Sequence, residues 1–126
     1  MNESLLFRIV CVALAGAVSR WGVSRFSNMA LGANWPYGTL VVNLIGCFLF
    51  GLVFESYRDR VAEDSHLRLL LLTGFAGAFT TYSTFAFDTY ELAVYRHIVL
   101  AALNVGLHIV LGLAAVVLGI SVGRFF

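Results

Sequence analysis

Residues 73–85, TGFAGAFTTYSTF, bring ion-handling side chains into a run that is otherwise apolar enough to cross a membrane. The segment contains two glycines and hydroxyl groups on Thr73, Thr80, Thr81, Tyr82, Ser83 and Thr84. Lipid offers no hydrogen bonds, so a polar stretch at that depth must be buried in protein or line a watery path. An interrupted apolar helix is also the best sequence pointer to a binding or conduction site. The segment therefore predicts such a site.

The chemistry expected here depends on whether the helix unwinds. If Gly77 to Thr80 unwind, their carbonyls can bind a small cation such as sodium. The hydroxyls that follow offer small donors, and the positive edges of aromatic rings can face an anion. The rings available are those of Phe75, Phe79, Tyr82 and Phe85. The alternative is a polar kink that neighbouring helices repack.

The composition indicates an integral membrane protein. Of 126 residues, 60% are hydrophobic and 12% are charged, and the net charge is +1. Soluble domains carry about 25% charged and roughly 45–50% apolar residues. The small net charge gives no reason to expect a nucleic acid partner. The expected fold class is all-α: one domain over 1–126, with four transmembrane helices per subunit and the third broken at its centre.

Four segments are long enough to cross the hydrocarbon core, which takes about 20 apolar residues. They cover about residues 5–23, 38–57, 67–95 and 98–122. The predicted connections are 24–37, 58–66 and a tight turn at Arg96 and His97. Because Glu3 precedes the first apolar run and no clear cleavage site ends it, we expect this helix to be retained.

The distribution of arginine favours an assembly of two chains. Four helices place both termini on one side, with five arginines toward that side and three toward the other. Under the positive-inside rule, so small a difference in arginine count between the two sides predicts insertion in both orientations. An antiparallel homodimer with its two-fold axis in the membrane plane is then possible. One thin bundle can hardly shield a broken helix alone, which also favours an oligomer.

Four polar side chains inside the apolar segments each allow two interpretations. Asn43 either bonds a neighbouring helix, at about 1 kcal/mol, or lines a conducting path as a donor. Thr39, one turn earlier on the same face, is either pore-side or bonded back to its own helix. Arg20, at the end of the first segment, either snorkels to the interface or attracts anions to an entrance. His108 is either packed and neutral or functional, as intramembrane ionisable groups are by default.

No enzyme is predicted from this sequence. It offers no Ser–His–Asp set that could meet, no glycine-rich nucleotide motif after a strand and no paired carboxylates at the midplane. A small drug–proton antiporter would need a carboxylate deep in its first helix, and residues 4–54 contain no acid. A non-transporting assembly subunit would explain the packing glycines but not the hydroxyl-rich segment.

A resemblance that covers nearly the whole chain is carried by GAVSRW (16–21), GTLVVNLIGCF (38–48) and the 73–85 element. These segments closely resemble the CrcB/Fluc family of fluoride channels, and TTxSTF is the distinctive part. The resemblance implies a fluoride-selective channel in the bacterial inner membrane that passively exports fluoride and so reduces its toxicity. The negative cytoplasm drives an exiting anion by roughly 2.3 kcal/mol per 100 mV.

The resemblance also implies how two subunits assemble in the lipid. Two antiparallel copies, or two different chains in a heterodimer, would form two pores. A structural sodium ion at the dimer centre would be held by main-chain carbonyls, two from each subunit, and the matching residues are Gly77 and Thr80. The vestibule arginine of the family matches Arg20. His108 matches a position where some relatives carry a polar pore-side residue.

The pore residues of the family match five positions of this chain. The asparagine of the second helix matches Asn43, and the two aromatic positions that face the ion path match Tyr82 and Phe85. The neighbouring hydroxyl matches Thr84 or Ser83. Tyr82 is a departure, because the family usually has phenylalanine there. Its phenol could donate to fluoride or clash in a narrow pore.

Overall fold

The computed structural model describes residues 3–58 and 65–126, and within these ranges all regular structure is helical. The α-helices are α1 (Glu3–Leu31), α2 (Tyr37–Ser56), α3 (Ser65–Leu69), α4 (Gly77–Phe79), α5 (Tyr82–Glu91) and α6 (Ile98–Gly123). Two π-helical stretches continue them: Leu70–Ala76 lies between α3 and α4, and Leu92–Arg96 follows α5.

Four stretches are long and apolar enough to cross a membrane. They are α1, α2, the third span (His66–Arg96) and α6. The four-helix fold class is thereby confirmed, and the chain is a multi-pass membrane protein. The predicted bounds of the last three spans agree with the structure to within one residue at each end. Most of the predicted connection at 58–66 lies outside the described residues.

The first helix is longer than its apolar run. The sequence predicts an end near Val23, whereas α1 continues to Leu31. The hydroxyl of Ser27 is satisfied within the helix, because it donates to the carbonyl of Val23 at 2.8 Å. Gly32 then ends the helix in the left-handed region, with φ of 94°. Arg20 therefore lies well inside α1, and the expectation that it ends the helix is wrong.

Helices α2 and α6 approach each other so closely that backbone meets backbone. A Cβ atom on Gly123 would lie 2.8 Å from the carbonyl oxygen of Leu52. A Cβ atom on Gly119 would overlap the carbonyl oxygen of Phe48. The hydroxyl of Ser56 donates to the carbonyl of Leu52 at 2.8 Å and lies 3.5 Å from the carbonyl of Gly123 across the interface. Membrane helices use small residues for such contacts. Gly119 and Gly123 thus serve the packing of α6 on α2.

The third span packs against α1 and α2 through two further glycines. A Cβ on Gly16 would lie 2.5 Å from the carbonyl oxygen of Phe75, and one on Gly46 would overlap the methyl group of Thr80. Phe79 is only 2% exposed. Its ring stacks on Phe75 with centroids 5.6 Å apart. These two rings belong to the packing of the subunit, not to the wall of a passage.

Replacing Gly119 with alanine should destabilise the bundle by roughly 1–3 kcal/mol, because the new methyl group forces α2 and α6 apart. The matched control is Gly106→Ala in the same helix, where nothing lies within 4 Å of the added Cβ. That change should be neutral or slightly stabilising, since alanine is the better helix former. Thermal unfolding in detergent, followed by loss of the monodisperse size-exclusion peak, compares the two variants. Equal midpoints would contradict the close packing.

Candidate functional site

The third span is interrupted at Thr80 and Thr81, which we call the break. Thr80 has φ −78° and ψ 161°, and Thr81 has φ −147° and ψ 111°, so both are extended between α4 and α5. The third span as a whole bends by 21°. Gly77 stays helical, with φ −63° and ψ −37°. The prediction that unwinding begins at Gly77 is wrong; it begins at Thr80, where hydroxyl side chains can replace lost helical hydrogen bonds.

The threonine side chains hold both edges of the break. The hydroxyl of Thr80 donates to the carbonyl of Ala76 at 3.0 Å. Thr81 caps α5, because its Oγ1 accepts from the backbone N–H of Thr84 at 3.2 Å and donates to the Thr84 hydroxyl at 2.9 Å. A threonine N-cap contributes about 1 kcal/mol to a helix. The helix can therefore resume directly after the break.

The side chain of Asn43, on α2, pairs with the backbone of Thr81. Its Oδ1 accepts from the N–H of Thr81 at 2.8 Å, and its Nδ2 donates to the carbonyl of Thr81 at 3.1 Å. A primary amide can pair with the N–H and the C=O of one extended residue in this way because it carries an acceptor and a donor side by side. The interhelical interpretation of Asn43 is therefore what the geometry shows. One of the two Nδ2 hydrogens is left for a further acceptor.

The break also releases the two carbonyls that the resemblance assigns to a cation. In an α-helix the carbonyl of Gly77 accepts from the N–H of residue 81, and that of Thr80 from the N–H of residue 84. Here the N–H of Thr81 is bound by Asn43, and the N–H of Thr84 is bound by the Thr81 hydroxyl. Both carbonyls thus lack their α-helical donors, which is the condition for a main-chain cation site.

Thr81 of the break contributes to the lining of two clefts. The first cleft has a volume of about 600 Å³. Its polar lining includes Arg20, Arg25, Thr39, Thr81 and Thr84. The second cleft, of about 450 Å³, is lined by residues that include Asn43, Thr81, Tyr82, Phe85 and His108. The predicted site residues other than Ser83 thus fall into two groups, Ser83 lines neither cleft, and Thr81 belongs to both linings.

Three predicted residues have surroundings that local spacing did not indicate. Thr39 does not bond back to its own helix; its hydroxyl donates to Oδ2 of Asp88 on α5 at 2.6 Å. Tyr82 is 80% exposed, and its ring centroid lies 5.8 Å from that of Phe85. Ser83 is exposed, with its hydroxyl 3.4 Å from that of Thr81.

Sequence reasoning missed two interhelical partners. Asp88 accepts from the Thr39 hydroxyl and so ties the third span to α2 beside the first cleft. Asn104 is fully buried in α6, and its Nδ2 donates to the Thr89 hydroxyl at 2.9 Å. Each bond depends on the register of two helices, which residue spacing along one helix does not encode. The available signal was a lone amide or carboxylate in an apolar segment.

Proteins named fluoride-specific ion channel FluC are similar to nearly the whole chain. The one from Solidesulfovibrio magneticus is 44% identical over 125 residues, which is 98% of this chain and 98% of the relative. One from Coxiella burnetii is 41% identical over 125 residues, which again cover 98% of this chain and 98% of the relative. One from Dehalococcoides mccartyi is 38% identical over 123 residues, 98% of this chain and 93% of the relative. The model of the family described as CrcB-like protein, Camphor Resistance (CrcB), matches residues 7–120, and the chain therefore belongs to this family.

Proposed function

We propose that this protein is a fluoride channel that lets the ion leave the cytoplasm passively and so limits its toxicity. The activity is taken from the names of the relatives. The observation that carries the proposal is the break itself, where Thr81 is bonded to Asn43 and lines two clefts. Neither the antiporter nor the assembly-subunit alternative gains support from those relatives. A passive channel makes and breaks no covalent bond, so the protein is not an enzyme.

The first cleft has the charge that an anion entrance requires. Arg20 and Arg25 lie in its lining. Cationic groups in a cleft with low-dielectric walls raise the local concentration of anions. The exposed Thr84 hydroxyl lines the same cleft and accepts from Thr81, so its own hydrogen can be donated to an ion. This cleft is the vestibule in our proposal.

Donors beyond the vestibule can replace the water that fluoride loses. The second Nδ2 hydrogen of Asn43 is one such donor, and Ser83 next to the break offers another. The rings of Tyr82 and Phe85 line the second cleft, where their positive edges can supplement the hydrogen bonds. Tyr82 is 80% exposed, so a steric conflict of its phenol would have to come from a second subunit.

The site is completed in our proposal by a second copy in antiparallel orientation. Gly77 is exposed, Thr80 is half-buried and Thr81 is buried, so the α4 side of the break reaches the surface of one subunit. A break facing lipid would leave backbone groups unsatisfied. The near-tie in arginine distribution supports dual insertion. A heterodimer with a related chain would meet the same needs. We place the assembly in the inner membrane of a bacterium, with lipid around it.

The carbonyls of Gly77 and Thr80 are suited to sodium in this arrangement. Their α-helical donors are engaged by Asn43 and by the Thr81 hydroxyl, and unwound carbonyls at half-helix ends coordinate sodium in membrane proteins. Two such carbonyls from each copy would hold the ion at the dimer centre. When bound, the ion supplies a positive charge that offsets the cost of an anion at low dielectric.

Asn43→Ala should slow fluoride efflux roughly tenfold or more, because a hydrogen bond to a charged group contributes about 1.5–3 kcal/mol. The measurement is fluoride release from liposomes containing the purified protein, read with a fluoride electrode and compared with chloride release. Asn34→Ala, in the exposed connection after α1, is the matched control and should match the unmodified protein.

A second readout separates folding from conduction. Hydrogen exchange at the Thr81 amide should accelerate in Asn43→Ala, because that N–H loses its acceptor. Full-speed efflux in Asn43→Ala would contradict the proposed path. No efflux from well-folded unmodified protein would contradict the channel function, and Tyr82→Phe would then show whether the phenol is responsible.

Sodium should stabilise the assembly, since a ligand that binds only the native state raises its stability. We expect a higher thermal midpoint in sodium chloride than in N-methylglucamine chloride at equal ionic strength. The increase should saturate with sodium concentration. Identical midpoints in the two salts would contradict the cation site at Gly77 and Thr80.

A further inference from the structure

Helix α2 has no polar cap of its own. Its N-cap residue is Pro36, whose side chain makes no hydrogen bond to the helix. An N-cap side chain ordinarily accepts from the backbone N–H of the second or third helical residue. The second residue of α2 is Gly38, and its N–H donates to Oδ1 of Asn28 on α1 at 2.9 Å. The cap of α2 is thus supplied by the neighbouring helix.

The two helices approach so closely at this point that α2 has no room for a side chain. A Cβ atom on Gly38 would overlap the hydroxyl of Ser24 and would lie 2.9 Å from Oδ1 of Asn28. Ser24 and Asn28 lie one turn apart on α1, in the stretch beyond Val23 that hydropathy assigned to a connection. Gly38 is buried against them. The extension of α1 therefore holds the first turn of α2.

The depth of Asn43 depends on contacts at both ends of α2. The backbone contacts with α6 involve Phe48 and Leu52, which follow Asn43 in the sequence. Before Asn43, α2 is bonded to α1 by the Asn28 cap and to α5 by the Thr39 hydroxyl. The capped residue precedes Asn43 by five positions, which is about 7.5 Å along the axis. A helix is stiff over such a length, so a displacement of its first turn also moves Asn43.

We propose that Asn28 is a positioning residue of the channel: by capping α2 from α1, it holds Asn43 at the depth where the Asn43 amide meets Thr81. The inference rests on the proposed channel function. Asn28 acts on the ion path through α2, because the two bonds between Asn43 and Thr81 require α2 to keep its depth. Hydrogen bonds weaken steeply when their geometry departs from the ideal, so a small displacement affects both.

A purely local cap would have a narrower effect. Its loss would fray residues 37–39 and leave the bonds between Asn43 and Thr81 intact, since helix ends open independently of the core. A positioning cap also protects the Thr81 amide, which belongs to a different span. Protection of Thr81 against hydrogen exchange is therefore the readout that separates the two roles.

The first test is hydrogen exchange at the amides of Gly38 and Thr81, followed by NMR in the unmodified protein and in Asn28→Ala. Exchange at Gly38 should accelerate by about fivefold or more in the variant, since that N–H loses its acceptor. Exchange at Thr81 should accelerate by about threefold or more, because its bonds to Asn43 become misaligned. Asn28 is exposed, so its truncation leaves no cavity and the variant should fold.

Two further variants control this comparison. Asn28→Asp keeps an acceptor oxygen of the same reach, and aspartate caps helices as well as asparagine does. Both amides should therefore stay protected in Asn28→Asp. Asn34→Ala removes an exposed amide from the connection between α1 and α2, and both amides should exchange as in the unmodified protein. Fast exchange at Thr81 in Asn28→Asp would overturn the role of the cap.

Fluoride efflux from liposomes is the second readout. Asn28→Ala should conduct about threefold more slowly than the unmodified protein, because the Asn43 donor is displaced. Unchanged exchange at Gly38 would overturn the cap itself. Faster exchange at Gly38, with Thr81 exchange and efflux unchanged, would overturn the positioning role. No efflux even from the unmodified protein, together with faster exchange at both amides in Asn28→Ala, would support the positioning of Asn43 and overturn only the channel function.

Discussion

A peptide group left open inside a membrane must find its hydrogen bonds within the protein, since lipid supplies none. In this chain the open groups are the N–H and the C=O of Thr81, and the side chain of Asn43 satisfies them with one accepted and one donated bond. The amide acts as a piece of backbone contributed by another helix. Because the pair satisfies Thr81 completely, two extended residues can persist between α4 and α5 at a depth where unpaired backbone would be prohibitive.

The rest of the bundle keeps that pair in register. Helix α2 carries Asn43, and its depth is set by the backbone contacts that Gly119 and Gly123 permit with α6. The third span is located by Gly46, whose missing side chain makes room for the Thr80 methyl group. Close packing without side chains leaves little room for sliding, so a small shift of α2 would misalign both bonds to Thr81. The glycines and the amide thus form one positioning system.

Much of this arrangement can be predicted from the sequence, because it depends on local composition. The four spans follow from apolar length, and the interrupted third span follows from the hydroxyl cluster at 80–84. The location of the break within that span does not follow. Glycine permits a departure from helix but does not require one, and Gly77 stays helical. Thr80 and Thr81 leave the helix because their own hydroxyls and Asn43 replace the bonds that are lost.

Contacts between helices were harder to foresee. The bond from Thr39 to Asp88 joins residues 49 positions apart, and its formation depends on how α2 and α5 are rotated toward each other. The end of α1 was also misplaced, since hydropathy falls near residue 24 while hydrogen bonding continues to Leu31. Hydropathy reports where a helix can lie in lipid, and it is silent on how far the helix extends into water.

The length of α1 has a consequence for the entrance. At 1.5 Å per residue its 29 residues span about 43 Å, whereas the hydrocarbon core is roughly 30 Å thick. The excess must tilt or project into the headgroup layer. Arg25 and Asn28 near the end of α1 belong to the lining of the first cleft. Where the excess projects, the mouth of that cleft reaches the lipid headgroups, and at a cytoplasmic surface anionic lipid gives potentials of about −30 mV. Membrane composition, through the sign and density of headgroup charge, would set the anion concentration that the mouth encounters.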